Sequence, residues 1–181
     1  MTAATDAELI ARTVTQEDRT AFGELVLRHQ SAVRRFLRHL THHDAALADD
    51  LAQETFITAW RALASYQGNA AFLTWLLGIA HNHARNARRS RRHTAGELSP
   101  EIADESTPAP AQTAAIRHDL TSALQQLNPD EQTALHLHYQ LGLTHPEIAA
   151  VTAWPLGTVK THLARGKQQL RQLLSAWNPQ S

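Results

Sequence analysis

The feature that most constrains this chain is the spacing of its apolar residues, which recur at steps of three and four. The clearest run contains Phe22, Leu25, Val26, His29, Val33, Phe36, Leu37 and Leu40. Such spacing places its members on one face of an α-helix, whereas a half-buried strand would alternate apolar and polar residues. Almost no alternation of that kind occurs, so the sequence predicts an all-α fold.

Two more long helices are predicted in the first half of the chain. Asp44 can cap the first of them, which ends near Leu63. Its predicted core stripe is Ala52, Phe56, Ala59, Trp60 and Leu63, and its opposite face carries Asp50, Gln53, Glu54 and Ile57. Asn69 can cap the second, in which Phe72 and Trp75 are read as core. The face that carries Asp50, Gln53, Glu54 and Ile57 is either plain solvent-exposed surface or a docking site for a protein with a basic surface.

The last of these helices becomes basic towards its end. Arg85, Arg88, Arg89 and Arg92 stand at i, i+3, i+4 and i+7, which places them on one side of a helix. The stripe could follow nucleic-acid phosphates. It could equally be a solvated face that complements the helix dipole.

A change of composition divides the chain in two. Residues 94–112 are rich in Pro, Ser, Thr and acids, which indicates a flexible acidic linker. We therefore predict two small helical domains, 1–93 and 113–181, with the first helix of the second domain at about 114–127.

The second domain carries a helix-turn-helix pattern. "NPDE" opens a helix, and "THPE" (Thr144 to Glu147) has the spacing of a capping box. The short helix that follows leads through "AWPLG" into a longer basic helix beginning near Pro155. Its predicted core residues are Leu156, Val159, Leu163 and Leu170. Two short helices with a tight turn, the second basic, are typical of DNA-binding helix-turn-helix domains.

The outward residues of the last helix are candidates for DNA recognition. They are Thr158, Lys160, Thr161, His162 and Arg165, with Gly157 allowing close approach of the backbone to a phosphate. In this geometry the N-terminal residues of the second helix meet base edges in the major groove. The plainer alternative is an amphipathic helix with a solvated basic face.

Composition excludes several classes of function. The formal net charge is zero, but residues 85–92 hold five arginines and 97–105 hold four acids, so the charge is strongly segregated. There is no cysteine, hence no disulfide and no thiolate metal site. The twelve histidines form no metal-binding motif, and no catalytic set or cofactor fingerprint is present. Without a signal peptide or a membrane-spanning run, we expect a cytoplasmic protein with no membrane insertion, cofactor or small-molecule substrate.

Three segments together resemble the bacterial RNA polymerase sigma factors, especially the extracytoplasmic-function group. They are "ADDLAQETFITAW" (Ala48 to Trp60), "FLTWLLGIAHNHARNARR" (Phe72 to Arg89) and "GLTHPEIAAVTAWPLGTVKTHLARGKQQLRQLL" (Gly142 to Leu174). The resemblance implies a non-catalytic initiation subunit that binds core RNA polymerase and promoter DNA, commonly under the control of an anti-sigma protein.

The resemblance also implies roles for the surfaces found above. Asp50, Gln53, Glu54 and Ile57 would dock on core polymerase. Reading and opening of the minus-ten element would fall to Tyr66, Gly68, Asn69, Asn82, Arg85, Arg88, Arg89 and Arg92. The basic last helix would read the minus-thirty-five element. Asn86, His81, the pair Leu77-Gly78 and Pro155 depart from residues that are frequent in the family, which bears on promoter preference rather than on architecture.

Three other readings compete with this one. A stand-alone helix-turn-helix regulator explains the last sixty residues but leaves the face at Asp50 and the arginine stripe without a role. A metal-dependent enzyme lacks a ligand set. An anti-sigma or adaptor protein does not account for two DNA-reading segments in one chain.

Overall fold

The computed structural model describes residues 4–94, 120 and 122–175, and the side chains of 92–94 and 175 are outside this description. Regular structure in these residues is helical, with no strand. The helices are α1 (Asp6–Gln16), α2 (Arg19–Leu40), α3 (Ala45–Ala62), α4 (Phe72–Thr94), α5 (Pro129–Leu135), α6 (His145–Thr152) and α7 (Leu156–Ser175). A 3₁₀ turn, Leu63–Ser65, follows α3, and a π-helical turn, His136–Gln140, follows α5. The all-α prediction is confirmed.

The chain divides into two compact units: one contains α1–α4 and Ala150–Thr152 at the end of α6, and the other contains α5, the rest of α6 and α7. The predicted linker at 94–112 lies outside the described residues except for Thr94, which ends α4. Most of the helix predicted at 114–127 lies outside them too, although residues 122–125 are helical. The predicted domain boundaries therefore stay predictions.

Helix α1 is a feature that the sequence analysis does not assign. Its first turn is closed by a capping box: the Thr5 N–H donates to the Glu8 carboxylate at 2.7 Å, and the Glu8 N–H donates to the Thr5 hydroxyl at 3.3 Å. Leu9 is fully buried and Thr13 nearly so. The pattern Thr-x-x-Glu in "TDAE" is the signal that could have located this helix.

The core of the first unit contains half of the predicted stripe of α2, whereas Phe22, Val26, His29 and Leu40 are half-buried. Leu25, Val33, Phe36 and Leu37 are all fully buried. The predicted stripe of α3 is partly wrong: Ala52, Ala59 and Leu63 are buried, but Phe56 is half-buried and Trp60 is 37% exposed. Leu51 and Thr55 occupy the missing core positions. Thr55 can be buried because its hydroxyl donates a hydrogen bond to the Leu51 carbonyl at 2.7 Å, within the same helix.

One of the two predicted helix caps in this unit is correct. The Asp44 carboxylate accepts the Leu47 N–H at 3.0 Å, which caps α3. Asn69, in contrast, lies three residues before α4 and donates from its side-chain amide to Gln67. The prediction failed because the turn is longer than the motif alone indicates. Phe72 is buried as expected, whereas Trp75 is only half-buried.

The second unit is held together by a close approach of α5 and α7. Asn128 caps α5 by accepting the Asp130 N–H at 3.0 Å, as "NPDE" predicts. Gly166 is buried on α7, and a Cβ at this position would lie 2.9 Å from the Leu135 side chain. Val159 and Leu163 face the core as predicted. Leu156 and Leu170 do not: Leu156, the first residue of the helix, is 42% exposed, and Leu170 is half-buried.

Two further observations concern membrane-spanning helices and groups of metal-binding side chains. No helix in the described part of the chain combines the length and apolar character needed to cross a membrane. Among the same residues, no group of three or more His, Asp or Glu side chains is placed to hold a metal ion.

Candidate functional site

A groove of about 890 Å³ lies between α2 and α3 on the first unit. Its apolar walls are Phe22, Val26, Phe56, Ile57 and Trp60. The Trp60 ring packs edge-on against Phe22, with ring centroids 5.0 Å apart, which fixes one wall. Ile57 and Trp60 are 43% and 37% exposed, so the chain keeps large apolar side chains at the surface here. An aromatic anchor between apolar walls is the usual centre of a protein-docking site.

The rim of the groove is polar and carries both signs of charge. It contains Arg19, Gln30, Arg34, Asp49, Asp50, Gln53 and Arg61. Arg34 and Asp49 form an exposed ion pair at 3.4 Å across the groove. An apolar centre with such a rim matches the composition of transient protein interfaces.

The structure brings together three of the four residues predicted to dock on a protein partner. Asp50, Gln53 and Ile57 line the groove. Glu54 does not, because its carboxylate lies 3.4 Å from His83 of α4. His83 also bonds the Thr58 hydroxyl at 3.0 Å, so this polar cluster joins α3 to α4 beside the groove. Sequence reasoning missed the walls supplied by Phe22, Val26 and Trp60.

The segment before α4 is organised by aromatic rings. Tyr66 contacts Phe72 and Trp75 with centroids 5.7 Å and 5.3 Å away, and its hydroxyl donates to the Ala70 carbonyl. Burial raises the pKa of Tyr66, and the negative charge of Asp6 adds to the rise. Gly68 has φ +72°, a conformation that side chains rarely adopt, and Asn69 is exposed. Tyr66, Gly68 and Asn69 thus form one ordered turn.

The predicted basic stripe of α4 is solvent-exposed over the length that the structure describes. Asn82, Arg85, Arg88 and Arg89 are all exposed. The side chain of Arg92 lies outside the described residues. Arg91, which is not in the stripe, pairs with the Asp44 carboxylate at 3.2 Å. The stripe is therefore a continuous cationic surface rather than part of the core.

The predicted helix-turn-helix is formed by α6 and α7. The Thr144 N–H and the Thr144 hydroxyl both donate to the Glu147 carboxylate, at 2.8 Å and 2.6 Å, which confirms the capping box. Ala153 turns the chain between the helices with φ +58°. Helix α7 begins at Leu156, where the Thr158 N–H donates to the Pro155 carbonyl at 2.9 Å.

The recognition candidates on α7 divide into two groups. Gly157, Lys160, Thr161 and Arg165 are exposed, and the Thr161 hydroxyl donates to the Gly157 carbonyl at 2.9 Å. Thr158 is half-buried. His162 is half-buried as well and packs on Trp154, with ring centroids 4.9 Å apart. His162 is therefore only partly outward, because Trp154 packs against its ring, and like that of Thr158 its role in DNA recognition stays a prediction.

Comparison with known proteins identifies the family. The model of Sigma-70 region 2 matches residues 25–94, and that of Sigma-70 region 4 matches residues 117–170. The RNA polymerase sigma factor CarQ of Myxococcus xanthus is 37% identical over 158 residues, which are 85% of this chain and 89% of the relative. The ECF RNA polymerase sigma-E factor of Haemophilus influenzae is 32% identical over 180 residues, which are 92% and 93%.

A solved structure is similar over most of both chains. It is that of the sigma factor RpoE in complex with the anti-sigma factor NepR from Bartonella quintana, which is 26% identical with a TM-score of 0.66. The match covers 85% of this chain and 96% of the solved chain. The chain therefore belongs to the extracytoplasmic-function group of bacterial RNA polymerase sigma factors, the alternative subunits of transcription initiation.

Proposed function

We propose that this sigma factor binds core RNA polymerase through the α2–α3 groove, directs it to specific promoters and assists DNA opening, without catalysis of its own. The observation that carries the proposal is the groove. An apolar recess with Asp50, Gln53 and Ile57 on its wall and rim gives the first unit a protein-docking surface that a stand-alone helix-turn-helix regulator does not need. Action on polymerase and DNA places the protein in the cytoplasm.

The DNA contacts are assigned to two surfaces. The ordered turn at Tyr66, Gly68 and Asn69 would read the minus-ten element, and the basic stripe from Asn82 to Arg92 would hold phosphates of the opening strand. On α7, Gly157, Lys160, Thr161 and Arg165 would meet the minus-thirty-five element, because arginine and lysine bind guanine edges and threonine donates to bases or phosphates. Thr158 would support this surface from its half-buried position.

Regulation by an anti-sigma protein is part of the same proposal. The solved relative from Bartonella quintana is held by an anti-sigma factor. A partner that covers Ile57 and Trp60 would bury exposed apolar surface and block polymerase docking in one step.

Run-off transcription with purified bacterial core polymerase tests the proposal. We expect promoter-specific transcripts that depend on this protein. Trp60→Ala and Ile57→Ala should each weaken binding to core polymerase about tenfold or more, since both remove anchors at the centre of the groove. Leu27→Ala is the matched control, because Leu27 is 71% exposed on α2 and does not line the groove.

Two outcomes would count against the groove. Unchanged polymerase affinity in the Trp60 and Ile57 variants would remove it as the docking site. A larger loss with Glu54→Ala than with either variant would move docking to the His83 side of α3. Absence of polymerase binding together with tight binding of duplex DNA by the isolated protein would favour the stand-alone regulator.

A further inference from the structure

The start of α7 carries an apolar surface that the proposed DNA contacts do not use. The five residues Ala153 to Gly157, "AWPLG", have no charged side chain, and four of them are exposed while Trp154 is half-buried. Leu156 is the largest of the exposed four, with 42% of its surface in water. We call these five residues the AWPLG segment.

Packing within the second unit does not explain Leu156. The buried side of α7 begins one turn later, where Val159 is fully buried and Leu163 is 9% exposed. Leu156 has the helical spacing of that buried face, yet it is the first residue of the helix and keeps 42% of its surface in water. Its side chain therefore adds little to the core.

The surroundings of Leu156 indicate which kind of surface would cover it. Lys160 stands one turn further along α7, and Lys167 lies at helical spacing on the same side of the helix; both are exposed. The described residues of α7 contain no acid. An occupant must therefore be anionic and must also offer an apolar group beside its negative charges.

Duplex DNA offers that combination in its major groove. The phosphates supply the negative charge, and the C5 methyl of thymine is the apolar group that the base edges expose. In a helix-turn-helix the residues at the start of the second helix meet base edges. Leu156 is the first residue of that helix.

We infer that Leu156 contacts a thymine methyl group in the upstream promoter element and so makes this sigma factor select thymine at one position. The inference rests on the proposed function, in which α7 reads that element. It adds an apolar specificity contact to the polar contacts of Lys160, Thr161 and Arg165.

The test replaces thymine by deoxyuridine, which pairs identically but lacks the methyl group. Holoenzyme is assembled from core polymerase and this protein, and its affinity is measured on a promoter found by run-off transcription. Each thymine of the upstream element is replaced in turn. We expect one position at which the loss of the methyl group weakens binding about three- to fivefold, the effect of removing one methyl group from an apolar contact.

The Leu156→Ala variant then separates this contact from all others. It should bind the unmodified promoter about three- to fivefold less tightly, with no further loss when the same thymine becomes deoxyuridine, since both changes remove one interaction. Leu27→Ala, the same truncation at an exposed leucine of α2, should keep the full response to deoxyuridine. Circular dichroism of both variants controls for folding.

Two results would overturn the inference. One is a deoxyuridine effect of equal size in the wild type and in Leu156→Ala. The other is a scan in which no thymine methyl group matters. Both leave promoter-specific transcription intact and so contradict only the Leu156 contact. Failure of the wild-type protein to form a promoter-specific holoenzyme would instead contradict the proposed function.

Discussion

At the scale of single residues, His42 lies in the turn after α2 and is affected by the positive charge of Arg88 on the basic stripe of α4. Its backbone is left-handed, with φ +52°, and the following His43 N–H donates to the Arg38 carbonyl at 2.8 Å. Desolvation lowers the pKa of His42, and the positive charges of Arg88 and His43 lower it further. Protonation of His42 is therefore less favourable in the folded chain than in the unfolded one.

This shift predicts a loss of stability in acid. An unfolded histidine titrates near pH 6.5, so the unfolded chain binds the extra proton first and stability falls as the pH drops through about 6.5. His42→Asn removes the group while keeping a residue that tolerates φ > 0. Melting temperatures at about pH 8 and about pH 5 should differ less in this variant than in the wild type.

Arg88→Gln provides a second, independent variant for the same effect. It removes one cause of the lowered His42 pKa and leaves the ring in place. The difference between its melting temperatures at about pH 8 and about pH 5 should be smaller than in the wild type but should not disappear. An unaltered difference in both variants would show that the acid sensitivity comes from other groups.

At the scale of elements, the crossing of α5 and α7 depends on a residue without a side chain. A Cβ on Gly166 would lie 2.9 Å from Leu135 and 3.3 Å from Glu131. Helix propensity alone would raise the free energy of unfolding of Gly166→Ala by ~1 kcal/mol. Overpacking opposes this gain, so we expect a net change between a smaller gain and a loss of about 2 kcal/mol. Chemical denaturation of the second unit measures the difference.

Gly157→Ala is the control on the same helix. A Cβ at Gly157 would meet nothing within 4 Å, so the same substitution brings the propensity gain without a clash. We expect this variant to be at least as stable as the wild type. Equal stability of the two variants would show that α5 moves away from α7 at no cost.

The elements that sequence reasoning located correctly are those with strong local signals. The periodic face of α2, the Asp44 cap and the Thr144–Glu147 capping box are set by residues within one or two turns of each other. The failures at Trp60, Leu156 and Leu170 have another origin. Each is apolar or aromatic at helical spacing, and whether such a residue is buried depends on which element lies opposite it.

At the scale of the whole molecule, zero net charge coexists with two cationic surfaces. Arg85, Arg88 and Arg89 are exposed on the first unit, and Lys160, Arg165 and Lys167 on the second. Each phosphate contact releases counterions, so promoter affinity should fall steeply with salt. The double variant Arg85→Gln, Arg89→Gln should lower the slope of log affinity against log salt by about 2.

Arg12→Gln is the control for this measurement. Arg12 lies on α1, belongs to neither set of cations and pairs with Asp18 at 2.6 Å. Its slope should equal that of the wild type. A slope unchanged in the double variant as well would mean that the arginine stripe of α4 does not contact phosphates.

The candidate sites were predictable to different extents. Asp50, Gln53 and Ile57 share one face of α3 by helical spacing, and the resemblance to sigma factors marks that face for docking. The other wall of the groove, formed by Phe22 and Val26 of α2, was not predictable, because a single sequence does not specify how two helices align. Arg85, Arg88 and Arg89 of the arginine stripe and most outward residues of α7 needed only helical spacing and are exposed as expected.

The π-helical turn at His136–Gln140 has a consequence for how this chain can change its length. The Leu141 N–H donates to the His136 carbonyl five residues back, so the turn holds one residue more than an α-helical turn. Deleting one residue here, such as the 61% exposed Tyr139, lets the turn close as ordinary α-helix with its two flanks in place. Inserting a residue has no such outlet. Variants of this sigma factor that lack one residue at this turn should therefore fold, whereas variants with one residue inserted there should not.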